Sequence, residues 1–485
     1  MPPPHNPHHE STRARIKRAK LRQPLEWPGP RPRRRASKRP LVAAYRPRAR
    51  RLREPRVLHR GPGSHMGSAS TKLRWLDMAI NMSSAGYSVS YGIFQEYYSG
   101  PKSGIAGSPG SFATIGTSQM GVMYLMMPVA FLILHRYPHL RPWCGPLGLL
   151  VTVVSLVSSA FVDSVGGLIA TQGVLYAVGC GLLFSPISMY MDEWFVQRKG
   201  MAYGVMWSGK AAVGVAMPFV FSELLDRFGL EATLLSWTVA SAMLTCPLLF
   251  FLKPRVPLPR STQPRPLSFE FLRRAPFWMM QLGIVIQALG YIMPSTYMAT
   301  YASNIGLSSV SGPILVALFS FASIPGAVVH GVLGDRISAT TVILISSFGS
   351  AVPVFLLWGL SRHFANVVVF VLVYGFFAGG FSSTWSSMMR EIKRNDSSSD
   401  TAVIFGMLLG GRGVGFVLGG PVSGALTSAR GALSEESLGY ATIYGPMILC
   451  TGITAILGAW GSYWKLLNKA SSQGFSECLP IIRHP

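Results

Sequence analysis

The sequence predicts an all-α polytopic membrane protein, with twelve transmembrane helices in two six-helix pseudo-symmetric halves. Three observations carry this expectation. Charged residues make up 13% of the chain and hydrophobic ones 49%, with a mean hydropathy of +0.34, whereas soluble domains carry roughly 25% charge. From residue 75 onward, apolar stretches of about twenty residues recur, the length that crosses a hydrocarbon layer roughly 30 Å thick. Midway, a Pro- and Arg-rich stretch at 253–275 separates six of them from six more.

Taken in order, the helices are expected near 75–98, 111–135, 143–162, 165–191, 200–223, 232–252, 276–301, 308–333, 338–360, 363–386, 402–425 and 439–463. Asn81, Ser83 and Ser84 dilute the first. The chain then divides into a basic arm at 1–70, a first half at 71–252, a linker at 253–275, a second half at 276–464 and a tail at 465–485. Residues 1–60 hold 19 Lys/Arg against three acids, Glu10, Glu26 and Glu54, so +16 of the +25 formal charge sits there. Runs such as Arg33-Arg34-Arg35 and Pro2-Pro3-Pro4 bury too little apolar surface to offset their ordering entropy, so this arm is expected to be disordered. Three readings of it stay open: a solvated tail, an over-long start upstream of Met66, and a targeting segment. Frequent Pro and the lack of an apolar core before residue 75 weaken the last. With the basic charge confined to an arm, the pI near 10.3 does not imply a nucleic-acid partner.

Orientation follows from Lys and Arg in the short loops. Arg136, Arg141, Arg198, Lys199, Arg336, Arg390, Lys393 and Arg394, six more in 253–275, and Lys465 and Lys469 all fall on one side. The other side offers Lys102, Arg227, Arg362 and Arg430, so both termini are expected to be cytoplasmic. The five cysteines, Cys144, Cys180, Cys246, Cys450 and Cys478, are scattered without a C-x-x-C pair and read as free, buried thiols. No metal or cofactor is implied, and no arrangement of residues points to an enzyme.

Internal similarity is visible in the fifth and eleventh stretches. The fifth carries Gly200, Gly204, Gly209, Gly214 and Pro218, and the eleventh Gly406, Gly410, Gly415, Gly419 and Pro421. Small residues at this spacing let helix backbones approach closely in lipid. Each ladder also carries one cation near mid-membrane, Lys210 and Arg412. A charge at that depth costs at least about 2.5–3.5 kcal/mol, so it faces a cavity or a partner. Arg412 suits a carboxylate through its planar fork, or a structural role on exposed carbonyls. Lys210 suits an anion, or a neighbouring carbonyl.

The run Asp192-Glu193-Trp194-Phe195-Val196-Gln197-Arg198-Lys199-Gly200-Met201-Ala202-Tyr203-Gly204 resembles the signature before helix five of monocarboxylate transporters of the major facilitator superfamily, most of all the fungal branch. Tyr91-Gly92-Ile93-Phe94-Gln95-Glu96-Tyr97-Tyr98, Thr171-Gln172-Gly173-Val174-Leu175-Tyr176, Gly331-Val332-Leu333-Gly334-Asp335-Arg336 and Gly411-Arg412-Gly413-Val414-Gly415 support it. The resemblance spans roughly residues 72–465 and implies two helical halves with a solute site between them. There are departures. Thr71-Lys72-Leu73-Arg74-Trp75 replaces the usual acidic-Gly start, no lysine stands late in helix one, and the Asp/Arg pair expected in helix eight falls on Ser323 and Ala327. Proton symport of a lactate-like acid therefore lacks its coupling residues here, and Lys210 stands where a small residue is expected.

Asp192, Glu193, Arg198 and Lys199, and again Asp335 and Arg336, form charge clusters at the expected cytoplasmic end, read as gates or as plain loop solvation. His330 could titrate with Asp335 or simply pack. Trp207, Tyr291, Tyr297, Phe377 and Trp385 could line an apolar cavity, although such aromatics more often pack or face lipid. The expected activity is that of a secondary transporter moving a small organic solute across a membrane by alternating access. A monocarboxylate-like anion is one candidate solute and a larger neutral or heteroaromatic molecule another, while a transport-inactive sensor or scaffold is a third reading. The plasma membrane is the expected location, with the vacuolar membrane open.

Overall fold

Apolar stretches that cannot leave backbone N–H and C=O groups unpaired in lipid must fold into helices, and the computed structural model of the chain has this architecture. It describes residues 86–100, 103–195, 198–251, 267–308, 310–361, 363–395, 400–429 and 439–477. The expected arm, the start of the first helix, most of the 253–275 linker and Cys478 lie outside them.

Helix α1 is Tyr91–Ser99, preceded by a helical turn at 86–89. It is followed by α2 (Pro109–Arg136), α3 (Arg141–Ala160) and α4 (Val165–Trp194). A single 53-residue helical run, Lys199–Phe251, breaks at Gly229, whose φ of 77° and ψ of −175° leave the helical region. We treat its arms as α5 (199–228) and α6 (230–251). The sequence suggests a loop of several residues between these two helices. One glycine suffices, because it alone tolerates positive φ without a Cβ penalty. Next come α7 (Ala275–Asn304), α8 (Ser311–Arg336), α9 (Ala339–Trp358), α10 (Phe364–Arg394) and α11 (Thr401–Ser428). Helix α12 has two pieces, Gly445–Leu457 and Trp460–Glu477, bent by 42°. Residues 465–477, expected in a tail, continue this helix, and Gly439–Ala441 forms a separate 3₁₀ turn before it.

Nine of these helical runs are long and apolar enough to cross a membrane, ten with the bent α12 pair, among the described residues. Splitting the 53-residue run at Gly229 adds one more, since arms of this length reach roughly 30 Å or more at 1.5 Å per residue. Capping fixes several starts. Ser108, Ser338 and Asp400 accept from Ser111, Thr341 and Ala402 N–H at 3.2, 3.2 and 2.8 Å. The outward faces are apolar, as lipid requires: Trp143, Met243 and Phe250 are each more than 70% exposed. Cys246, expected to be buried, is also exposed there; Cys180 is buried and Cys144 and Cys450 are half-buried.

Two helix crossings run through the bundle, α5 with α8 and α2 with α11. Both depend on the glycine ladders. A Cβ on Gly200 would strike the Gly331 carbonyl, one on Gly331 the Gly200 carbonyl, and one on Gly204 would come within 2.6 Å of the Ala327 oxygen. At the far end of the second crossing, a Cβ on Gly110 would lie 2.8 Å from the Gly424 Cα. Hydrogen bonds fix α4 against α1. A widened turn at Ile169–Leu175 carries Gln172, which accepts from Tyr87 O–H at 2.6 Å and donates to Tyr98 at 2.9 Å. Thus the Thr171–Tyr176 motif holds α4 to α1.

Gly204→Val should overpack the α5–α8 crossing by about 1–3 kcal/mol. Lower Tm and less monodisperse protein are expected on size-exclusion chromatography. Gly166→Ala, where nothing lies within 4 Å of the added Cβ, should leave both unchanged.

Candidate functional site

Arg412 lies about eleven residues into α11, roughly 16 Å along the helix axis, and is only 4% exposed. Its glycine neighbours bring α11 close to other backbones: a Cβ on Gly413 would lie 2.5 Å from Leu125 N and 2.7 Å from Gly121 O. The guanidinium therefore has little room to leave the interior. Nη1 donates to Ser382 Oγ at 2.8 Å, and Nε has no partner. Ser382 stands in a tightened 3₁₀ turn, Phe381–Thr384, set inside α10. Such mid-helix turns often mark functional hinges. Aromatic rings fill the rest of the shell, with centroids at 4.8 Å for Tyr291 and Phe416, 5.2 Å for Trp385 and 5.8 Å for Tyr124.

Lys210, on α5, directs Nζ at the same Tyr124 ring, 5.8 Å from its centroid. The two cations are thus less than twice that distance apart. Among the described residues neither enters an ion pair. Both line a cavity whose wall holds no carboxylate and whose free space is about 70 Å³. Pockets for drug-sized ligands measure roughly 300–1,000 Å³, so this cavity is small. Trp207, Tyr291 and Phe416 supply apolar wall and Ser320 an unpartnered hydroxyl. Ser323 and Ala327, the positions where an Asp/Arg pair was expected from the resemblance, also line it. Their small side chains leave this cavity with net positive charge from two other helices.

Of the five aromatics considered from sequence, Trp207 and Tyr291 reach the cavity, and Trp385 stands edge-on to Trp207 at 5.7 Å. Tyr297 and Phe377 do not: Tyr297 pairs with Ser423 at 3.2 Å elsewhere, and Phe377 packs on His330. Tyr124, Ser382 and Phe416 were missed. Phe416 had a signal, since it follows Arg412 by four residues and shares its helix face; Tyr124 and Ser382 had none.

At the end of the bundle that carries the basic loops, charge is organised across helices rather than between neighbours in sequence. Glu193 pairs with Arg141 at 2.6 Å, and Asp192 with Lys199. Asp335, at the end of α8, accepts from Gly200 and Met201 N–H of α5, each at 2.9 Å, and pairs with Arg390 of α10 at 2.9 Å. Arg390 also donates to the Gly334 carbonyl. Arg198 and Arg336, expected in these clusters, are exposed and enter no ion pair among the described residues. Consecutive helical residues do not face each other, so Arg336 points away from Asp335, and Arg198 adopts a positive φ of 53° just before α5. His330 is fully buried, bonded to Gly326 O at 2.8 Å, between Phe376 and Phe377. It packs and does not reach Asp335.

Residues 76–329 and 282–477 match the family model described as Major Facilitator Superfamily. The chain belongs to this superfamily. It is similar to the MFS-type transporter pynF of Aspergillus niger, 24% identical over 408 residues, which covers 82% of this chain and 92% of that protein. An MFS-type transporter of Gibberella moniliformis is 24% identical over 350 residues, covering 70% and 80%. Monocarboxylate transporter 10 of Danio rerio is 24% identical over 351 residues, covering 70% and 68%. The facilitator-superfamily chain is thus an integral membrane protein related both to fungal transporters and to monocarboxylate transporters, as its helix-five signature suggested.

In this facilitator-superfamily fold, Asp335→Ala should strip two backbone N–H groups and Arg390 of an acceptor. The expected cost is about 1–2 kcal/mol, read as a Tm lowered by a few degrees. Asp335→Asn should cost less, because Arg390 is 45% exposed and its ion pair contributes little.

Proposed function

We propose that this protein is a secondary transporter for a small organic anion of the monocarboxylate class, working by alternating access and without covalent chemistry. One observation carries the reading: Arg412 and Lys210 flank a single ring in a cavity that offers no carboxylate among its lining residues. Two like charges so placed repel each other, and each is costly in apolar surroundings. A carboxylate bound between them relieves both terms. Arg412 would take it through its fork, using the Nε that lacks a partner, and Lys210 would add a point charge. Trp207, Tyr291 and Phe416 would hold the organic part. The same rings favour a second reading, a larger heteroaromatic solute whose plane stacks on the guanidinium.

Alternating access is supported by the two crossings. The α5–α8 and α2–α11 contacts close the cavity towards both ends, so a solute needs the first six helices to rock against the last six. In that cycle Asp335, Arg390, Asp192, Lys199, Glu193 and Arg141 serve as the cytoplasmic gate, breaking and reforming as the halves separate. The basic-loop end is assigned to the cytoplasm with both termini, and the plasma membrane is the preferred location. A cysteine replacing Ser261 should react with an impermeant reagent only after the membrane is opened. Labelling in intact cells would reverse the orientation.

Hydrogen bonds to a charged group contribute about 1.5–3 kcal/mol, or roughly 10–100-fold in affinity. Arg412→Lys should therefore weaken anion flux per surface molecule by about tenfold, and Arg412→Gln by about a hundredfold, at normal surface expression. Uptake by the full chain in proteoliposomes, normalised to folded protein, measures this. Unchanged normalised flux in Arg412→Gln, with less folded protein, would make Arg412 structural.

A further inference from the structure

Helix α10 is two arms joined by a pivot. Phe364–Gly380 and Trp385–Asn395 are α-helical, and Phe381–Thr384 between them is the 3₁₀ turn. The run Phe381-Ser382-Ser383-Thr384-Trp385-Ser386-Ser387 explains the interruption. Thr384 donates to Phe381 O at 2.7 Å, Ser386 to Ser383 O at 3.1 Å and Ser387 to Thr384 O at 2.6 Å. Hydroxyls that bond back to the preceding turn compete with the helix ladder and bend it. Residues three apart eclipse in a 3₁₀ turn, so Ser382 and Trp385 share one side of the pivot. Both meet Arg412: the hydroxyl accepts from Nη1 at 2.8 Å, and the Trp385 ring centroid lies 5.2 Å from the guanidinium carbon.

The second arm ends at the basic-loop closure. Trp385 stands edge-on to Trp207 of α5 at 5.7 Å. Five residues on, Arg390 pairs with Asp335 at 2.9 Å and donates to the Gly334 carbonyl, while Asp335 holds the first amides of α5. Ser387, between the two, is 3% exposed and lies against α8, where a Cβ on Gly334 would come 3.5 Å from its Oγ. One arm of 11 residues, roughly 16 Å long, thus touches Arg412 at one end and the closure at the other. We infer that Ser382 is a positioning residue for transport: through it Arg412 sets the angle of this arm, and the arm decides whether Asp335 keeps its hold on α5. The trigger rests on the anion reading of Arg412. A carboxylate that takes the guanidinium draws Nη1 from Ser382, the arm swings off α8, and the basic-loop end opens.

The test follows maleimide labelling of Ser387→Cys in the full-length chain in lipid nanodiscs, read by peptide mass spectrometry so that the native cysteines are told apart. Ser382→Ala removes the acceptor and nothing else. Labelling should rise about tenfold, the lower value for losing a hydrogen bond to a charged group. Ser383→Ala alters the same turn but deletes a hydroxyl that has no partner, so the rate should stay that of the Ser387→Cys parent. Arg390→Gln cuts the arm at its far end. Combined with Ser382→Ala it should label no faster than the quicker single variant, although sites roughly 12 Å apart usually act independently. Acetate at ~100 mM, against chloride of equal ionic strength, should speed labelling in the parent and not in Ser382→Ala. Loss of the acetate effect alone would refute the anion reading and leave the link from Ser382 to the closure standing. Three results would overturn the inference: equal rates in the parent and Ser382→Ala, equal acceleration by Ser383→Ala, or effects of Ser382→Ala and Arg390→Gln that multiply.

Discussion

A guanidinium held deep in an apolar bundle, with no carboxylate beside it, sets terms that the surrounding helices have to meet. The guanidinium charge of Arg412 must be offset locally. Part of the offset is the Ser382 hydroxyl, which the 3₁₀ turn in α10 carries. The rest comes from ring faces, four of them within 6 Å, each contributing roughly 0.5–2 kcal/mol. These rings belong to α2, α7, α10 and α11 itself, so one charge ties together helices from both ends of the sequence. The offset stays incomplete, because Nε has no partner.

The glycine ladders serve the same demand from the backbone side. Rings can crowd round Arg412 only if α11 approaches α2 and α7 more closely than ordinary side chains permit. Gly413 lies against α2, and Gly415 against the Val285 carbonyl of α7. Lys210 is placed in the same way from α5, whose Gly204 rests on α8. In lipid such contacts cost no desolvation, and association depends on packing. Small residues and the two buried cations are therefore parts of one arrangement.

Much of this was legible in the sequence, and what was not has definite causes. The approximate spans of the described helices follow from apolar length, which the bilayer sets. Connections do not: the Gly229 break and the extension of α12 through Lys465 depend on local dihedrals and on what each helix end packs against. Arg412 and Lys210 stood out because a charge is conspicuous in an apolar stretch. Their shared neighbour, Tyr124, did not, since nothing along the chain marks which helix will face which. The basic-loop clusters show the same limit. For Asp335, sequence adjacency suggests Arg336 as the partner, whereas folding supplies Arg390 and two amides of α5.

The two ends of the bundle hold the first six helices to the last six through different contacts. At the basic-loop end, Asp335 meets the first N–H groups of α5, where the helix dipole adds to the attraction for a carboxylate. These bonds are short and directional, and separating the helices exposes a carboxylate and two amides that water must then solvate. At the other end, Gly110 and Gly424 touch through backbone atoms alone. That contact is dispersion, about 0.1–0.2 kcal/mol per atom pair, but beside it Glu96 of α1 is hydrogen-bonded to Ser303 of α7. Both ends thus set a carboxylate of one half against groups of the other, Asp335 on two amides and Glu96 on a hydroxyl.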